Sequence, residues 1–168
     1  MEFKIGDNVV HPVYGVGHIA RIEKKQFSEK GIRQYYKVTL STSTLWIPVE
    51  QTHAAPALRL VTARQDLAQY RELLQSAPVP LDNNKPQLWH VELTNRLKLG
   101  TFPAMCEVVR DLAALNREKP LGATNKTILR KTQEKLCQEW AVAAGISVAE
   151  AAQEIETLLQ ATQETEPE

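Results

Sequence analysis

Four histidines (His11, His18, His53 and His90) and two cysteines (Cys106 and Cys137) are the side chains of this sequence best able to hold a metal or attack an electrophile. Metal sites need such ligands at short paired spacings, because one helical turn or tight loop must present two of them together. Here they stand singly and far apart. Gly15-Val16-Gly17 lacks the third glycine and the downstream acid of a dinucleotide fingerprint, and no Gly-Lys-Ser/Thr closes a glycine-rich loop. There is no Gly-x-Ser-x-Gly nucleophile turn, and no spacing brings two carboxylates together. The sequence nominates no catalytic residue, no metal ligand, no cofactor and no small-molecule substrate. An enzyme is not expected.

Charge and aromatic surface remain. The formal net charge of zero hides a segregation. Residues 1–83 carry ten Lys/Arg and eight Asp/Glu, residues 84–137 ten and five, and residues 138–168 none and seven. A polyanion feels the field within a Debye length of ~8 Å, so a neutral total does not argue against nucleic-acid binding. No apolar run approaches the ~18 residues of a membrane span, and no basic-then-apolar leader opens the sequence. No membrane association is expected, and the expected location is the cytoplasm. Two cysteines make no disulfide framework; both lie in apolar-periodic segments and are expected to be reduced, buried small hydrophobes.

The elements that must position these groups change character midway. Asn8–His11, Val16–Lys24, Tyr35–Leu40 and Thr44–Pro48 read as short strands. Gly6-Asp7 suits a turn, Pro12 stops the first strand, Ser28–Gly31 is a turn, and Gly15 and Gly17 suit a bulge or sharp re-entry. From Leu60 the period becomes helical, with Leu67, Tyr70, Leu73 and Leu74 as a stripe. Ala77–Gln87, rich in proline, reads as a linker. Helices are then expected over Leu88–Leu99, Phe102–Glu118, Thr124–Ala144 and from Ser147 through Leu159, punctuated by Gly100, Pro120–Ala123 and Gly145. Ser147-x-x-Glu150 is a capping box. The fold class is therefore α+β: a small bent β-sheet or barrel over 1–59, a helical domain over 60–162 with the linker near 77–87, and an acidic tail at 163–168.

FKIGDNVVHPVYGVGHI (Phe3–Ile19) with the later LWIPVE (Leu45–Glu50) resembles the N-terminal domain of the CarD/CdnL family of bacterial transcription regulators, shared with the transcription-repair coupling factor. The stretch from Gly100 to Gly145, with EVVRDL and a basic helix, resembles the family's C-terminal helical domain. The resemblance implies a Tudor-like β domain docked on the β subunit of RNA polymerase. It also implies a helical domain held on promoter DNA at the upstream edge of the bubble, stabilising the open complex. On the polymerase side it points to Lys25, Trp46 and Pro48. Trp46 replaces the family's Arg or Met, and it is expected either at the interface or in the β-domain core. On the DNA side it points to Trp89, Lys126 and Lys131, with Arg96, Lys98, Lys119 and Arg130 as further phosphate contacts. Trp89 is followed by His90 and Val91 where relatives carry arginines, and it is expected either to wedge at the fork or to pack the linker onto the helices. Arg110 is expected to serve the fold through an ion pair. The alternative function is a polymerase adaptor whose helical half binds another protein rather than DNA.

Overall fold

The computed structural model describes residues 3–27, 29, 31–50, 58–80 and 86–164. The expected turn at Ser28–Gly31, the linker core, His53 and the end of the acidic tail fall wholly or partly outside those residues. The chain divides into two compact units, residues 1–61 and 62–168.

The first unit is an antiparallel five-stranded sheet in the order β4-β3-β2-β1-β5, formed by β1 (Asn8–His11), β2 (Gly15–Lys25), β3 (Arg33–Leu40), β4 (Thr44–Pro48) and β5 (Arg59–Leu60). Strand β5, which pairs Leu60 with Val9 and Arg59 with Val10, replaces the expected start of helical structure at Leu60. Two residues carry no periodicity, so such a strand is decided by its partner. One face of the sheet buries Val9, Ile19, Tyr36, Val38 and Leu40 with Phe3 and Leu58, while Leu45, Ile47 and Val49 pack against them. The Tyr36 hydroxyl accepts from Phe3 N (3.2 Å), and the two rings meet edge to face. In β2 the pairing slips between Ile19 and Arg21, leaving Ala20 as the extra residue. The bulge therefore sits at Ala20 and not at the glycines, and it reverses the inside-outside phase of the second half of the strand. Gly17 has a different role: a Cβ there would lie 2.8 Å from both Leu40 Cδ2 and the Thr39 carbonyl oxygen, so its absence permits close packing of β3. Gly15 (φ 85°) makes the turn between β1 and β2.

The second unit is helical. A 3-10 turn at Arg64–Asp66 leads into α1 (Leu67–Gln75), followed by α2 (Pro86–Lys98), α3 (Phe102–Glu118), α4 (Ala123–Ala144) and α5 (Val148–Glu164). Their ends follow local chemistry. The Thr101 hydroxyl accepts from Ala104 N to start α3, and Gly145 ends α4 in the left-handed region (φ 72°). Ser147 and Glu150 form the reciprocal capping box, at 3.1 and 3.3 Å. Leu67, Leu74, Leu112, Leu136, Trp140 and Ile155 are essentially inaccessible, and Phe102 meets Tyr70 edge to face and Trp140 at a tilt. Arg110 and Asp111 of α3 hold the chain leaving α1. Asp111 Oδ1 accepts from Arg110 Nε (2.9 Å) and Val79 N (3.0 Å), and Arg110 Nη1 donates to Ser76 Oγ (2.8 Å). Buried Glu139 accepts from both the amide and the hydroxyl of Thr62. Both cysteines are free and buried, and burial pushes the thiols of Cys106 and Cys137 up, which favours their protonated forms.

Candidate interaction surfaces

Alternation across β2, β3 and β4 sends Tyr36, Val38, Leu45 and Ile47 into the core and sends their neighbours out. Cross-strand pairing then sets the outward side chains in rows. Arg21 lies opposite Lys37 and Lys37 opposite Trp46; Glu23 lies opposite Tyr35 and Tyr35 opposite Pro48; Lys25 lies opposite Arg33. Trp46 is thus on the outer face, half-buried, and not part of the core. Lys25 Nζ sits 3.7 Å above the centre of its ring, with Lys37 Nζ at 5.7 Å. Two ammonium groups over one indole place fixed positive charge around an apolar plate. Phe27, 57% exposed, meets Tyr35 edge to face at 5.0 Å and Trp46 at 6.1 Å. Lys25 also lies 3.7 Å from Glu23.

The structure therefore brings Lys25, Trp46 and Pro48 to one sheet face and adds Phe27, Tyr35 and Lys37. Sequence reasoning did not nominate those three. The signal was present, since Lys37 and Tyr35 share a phase in β3, but assigning that phase to the same face as Trp46 requires the cross-strand register.

On the helical unit the nominated residues separate into two groups. Trp89 is 6% exposed, packed with Leu93, Val108, Leu112 and Leu121, and among the described residues its Nε1 has no hydrogen-bond partner. In this arrangement its ring offers no face to a base, which supports the packing alternative. Arg96 contacts Glu92 (2.8 Å), Glu107 (3.9 Å) and Asp111 (3.9 Å), so its charge is committed to carboxylates. His90 takes the neighbouring position with a 3.2 Å contact between its Nδ1 and Asn125 Oδ1, joining α2 to the start of α4.

Lys98, Lys119, Lys126, Arg130 and Lys131 are exposed. Lys126 and Arg130, one turn apart on α4, line an open groove of about 480 Å³ with Asn116, Leu129, Gln133 and Cys137. Arg130 also pairs with Glu134 at 3.4 Å, both side chains largely in solvent. The first turn of α4 has no acidic residue and no side-chain cap, so the positive end of the helix dipole adds to Lys126. The outer side of α2 is different. Leu88 and Val91 are 66% and 56% exposed, as is Leu99 (69%) just past the end of the helix.

Among the described residues no three His, Cys, Asp or Glu side chains gather into a metal-holding group, and no helix is long and apolar enough to cross a membrane. The arrangement can grip partners by charge and aromatic area.

Comparison with known proteins gives two family matches: the CarD-like/TRCF RID domain over residues 3–62 and the CarD C-terminal domain over residues 71–156. Across 147 residues, 86% of this chain and 94% of the relative, the sequence is 34% identical to YdeB of Bacillus subtilis (strain 168), described as a candidate transcription factor.

Proposed function

The chain belongs to the CarD-like family of transcription factors, and from that premise we propose that it docks on the RNA polymerase β subunit through the outer face of β2–β4 while its helical unit rests on promoter DNA and stabilises the open complex. The observation that carries this reading is the Lys25–Trp46–Lys37 stack beside Phe27, on the sheet face turned away from the core. Aromatic anchors ringed by cations suit a partner surface with an acidic rim and an apolar centre. On the DNA side Lys119, Lys126, Arg130 and Lys131 are the phosphate contacts, with Lys98 as an outlying one. Arg96 and Trp89 act indirectly, by fixing α2 against α3. Such contacts position the protein without reading bases, so binding falls steeply with salt and is largely independent of sequence.

No ATP is needed. A protein that binds the open complex better than the closed one shifts the equilibrium by its differential affinity alone. The test is the lifetime of an open promoter complex after a heparin challenge. The wild-type chain lengthens it, and both Trp46→Ala and Lys126→Ala/Arg130→Ala return it toward the value for polymerase alone. A lifetime unaffected by the wild-type chain contradicts the proposal.

The exposed Leu88 and Val91 on α2, with Leu99 just past its end, favour a second reading, in which this helix meets another protein. If polymerase still binds but no DNA footprint appears beside it, that adaptor reading replaces the first.

A further inference from the structure

The outer stripe of α2 is chemically complementary to itself. Leu88, Val91, Glu92, Asn95, Arg96 and Leu99 line one open groove of about 480 Å³. Their spacing of three and four residues sets them on a single helix face, ~16 Å from end to end. Leu99 keeps to that face because its amide donates to the Arg96 carbonyl oxygen (3.2 Å). The stripe begins and ends on a leucine more than half exposed. Between them, helical geometry puts Val91 and Asn95 toward one flank, and Glu92 and Arg96 toward the other. Glu92 pairs with Arg96 at 2.8 Å, yet its side chain stays 61% exposed and can take a second cation. Exposed apolar side chains gathered in one strip mark a partner surface.

We propose that this stripe joins two copies of the chain as an antiparallel α2 pair, about a two-fold axis level with positions 93 and 94. Such an axis reverses the helix direction but keeps each flank on its own side. Leu88 then meets Leu99 of the second copy at both ends of the contact. On one flank Glu92 comes level with Arg96 of the second copy, closing a ring of alternating charge. On the other flank Val91 lies beside Asn95 of the second copy, the one mixed pair. A parallel pair would instead set Glu92 level with Glu92, and like charges oppose it. The formal net charge of zero leaves no long-range repulsion between copies. Six side chains from each copy put the contact in the weak class, below ~1,200 Å², so association depends on concentration. This inference names a second copy as the protein that α2 meets, and it holds whether or not the chain binds polymerase or DNA.

Sedimentation velocity of the full chain should show a monomer at ~10 μM and a growing dimer fraction toward ~1 mM. Leu88 and Glu92 are exposed, so L88D and E92K should keep the far-UV circular dichroism of the wild type. Each should raise the dissociation constant by about tenfold or more, by burying a charge against leucine or setting a lysine beside Arg96 of the second copy. Disulfide trapping reads the register, since the native Cys106 and Cys137 are buried. Mixed L88C and L99C should form a linked heterodimer under mild oxidation. Neither should link to itself, because like positions stand ~16 Å apart along the axis. A chain that stays monomeric throughout leaves the stripe to a different protein and overturns the proposal. A dimer indifferent to L88D and E92K overturns it as well, and so does L88C linking to itself, which reports a parallel pair.

Discussion

Two tryptophans show how far a single side chain can be read alone. Both Trp46 and Trp89 admit an interface role or a core role from the sequence. The structure separates them: Trp46 shares the outward phase of β4, and Trp89 closes the α2–α3 core. Residue-scale chemistry also yields two stability predictions. Asp111 is fully buried and takes donors from Arg110 and from the Val79 amide. Asp111→Ala should cost about 3 kcal/mol in urea unfolding, because it strips a buried guanidinium of its carboxylate and the Val79 amide of its acceptor. Asp111→Asn should cost less, since it keeps the amide's acceptor. His11 Nδ1 accepts from the amides of Val13 and Tyr14, and burial holds its pKa below the ordinary 6.5. The unfolded chain then binds the proton more readily, so the stabilisation is present above pH 6.5 and is lost as the pH falls from there through the lower pKa of the folded state. The melting temperature of the wild type should fall more between about pH 7 and pH 5.5 than that of His11→Asn, whose amide oxygen accepts without titrating.

Elements were legible where a local signal sets them. Gly100 and Gly145, with φ of 68° and 72°, end α2 and α4 as the sequence indicates, and the Ser147–Glu150 box opens α5. Ser147→Ala should therefore destabilise the helical unit by ~1 kcal/mol, read as an earlier thermal transition, with α5 fraying first in hydrogen exchange. Illegible features depend on a distant partner. The bulge at Ala20 is a mismatch between β2 and β3, and β5 exists only because Val9 and Val10 offer it an edge. The same dependence hid Phe27, Tyr35 and Lys37. The strand phases of Tyr35 and Lys37 are visible in the sequence, but which phases share the Trp46 face follows from the register of three strands together, and Phe27, two residues beyond β2, joins them only through its ring contacts.

At the scale of the whole molecule, the two units carry different kinds of surface: an aromatic-cationic sheet face in one, a cationic helix end in the other. Neither requires high affinity. On the proposed reading, two modest contacts on one large complex gain from their linkage, which would keep the chain on polymerase long enough for the helical unit to act when DNA melts. Everything depends on the sheet face holding the polymerase. The direct measurement is equilibrium binding of the full chain to purified bacterial RNA polymerase, comparing the wild type with Trp46→Ala at matched thermal stability. The account predicts saturable wild-type binding and a loss of about 30-fold on removing the indole, the size of a central aromatic anchor. Equal affinity of the two proteins, or no binding by either, contradicts it.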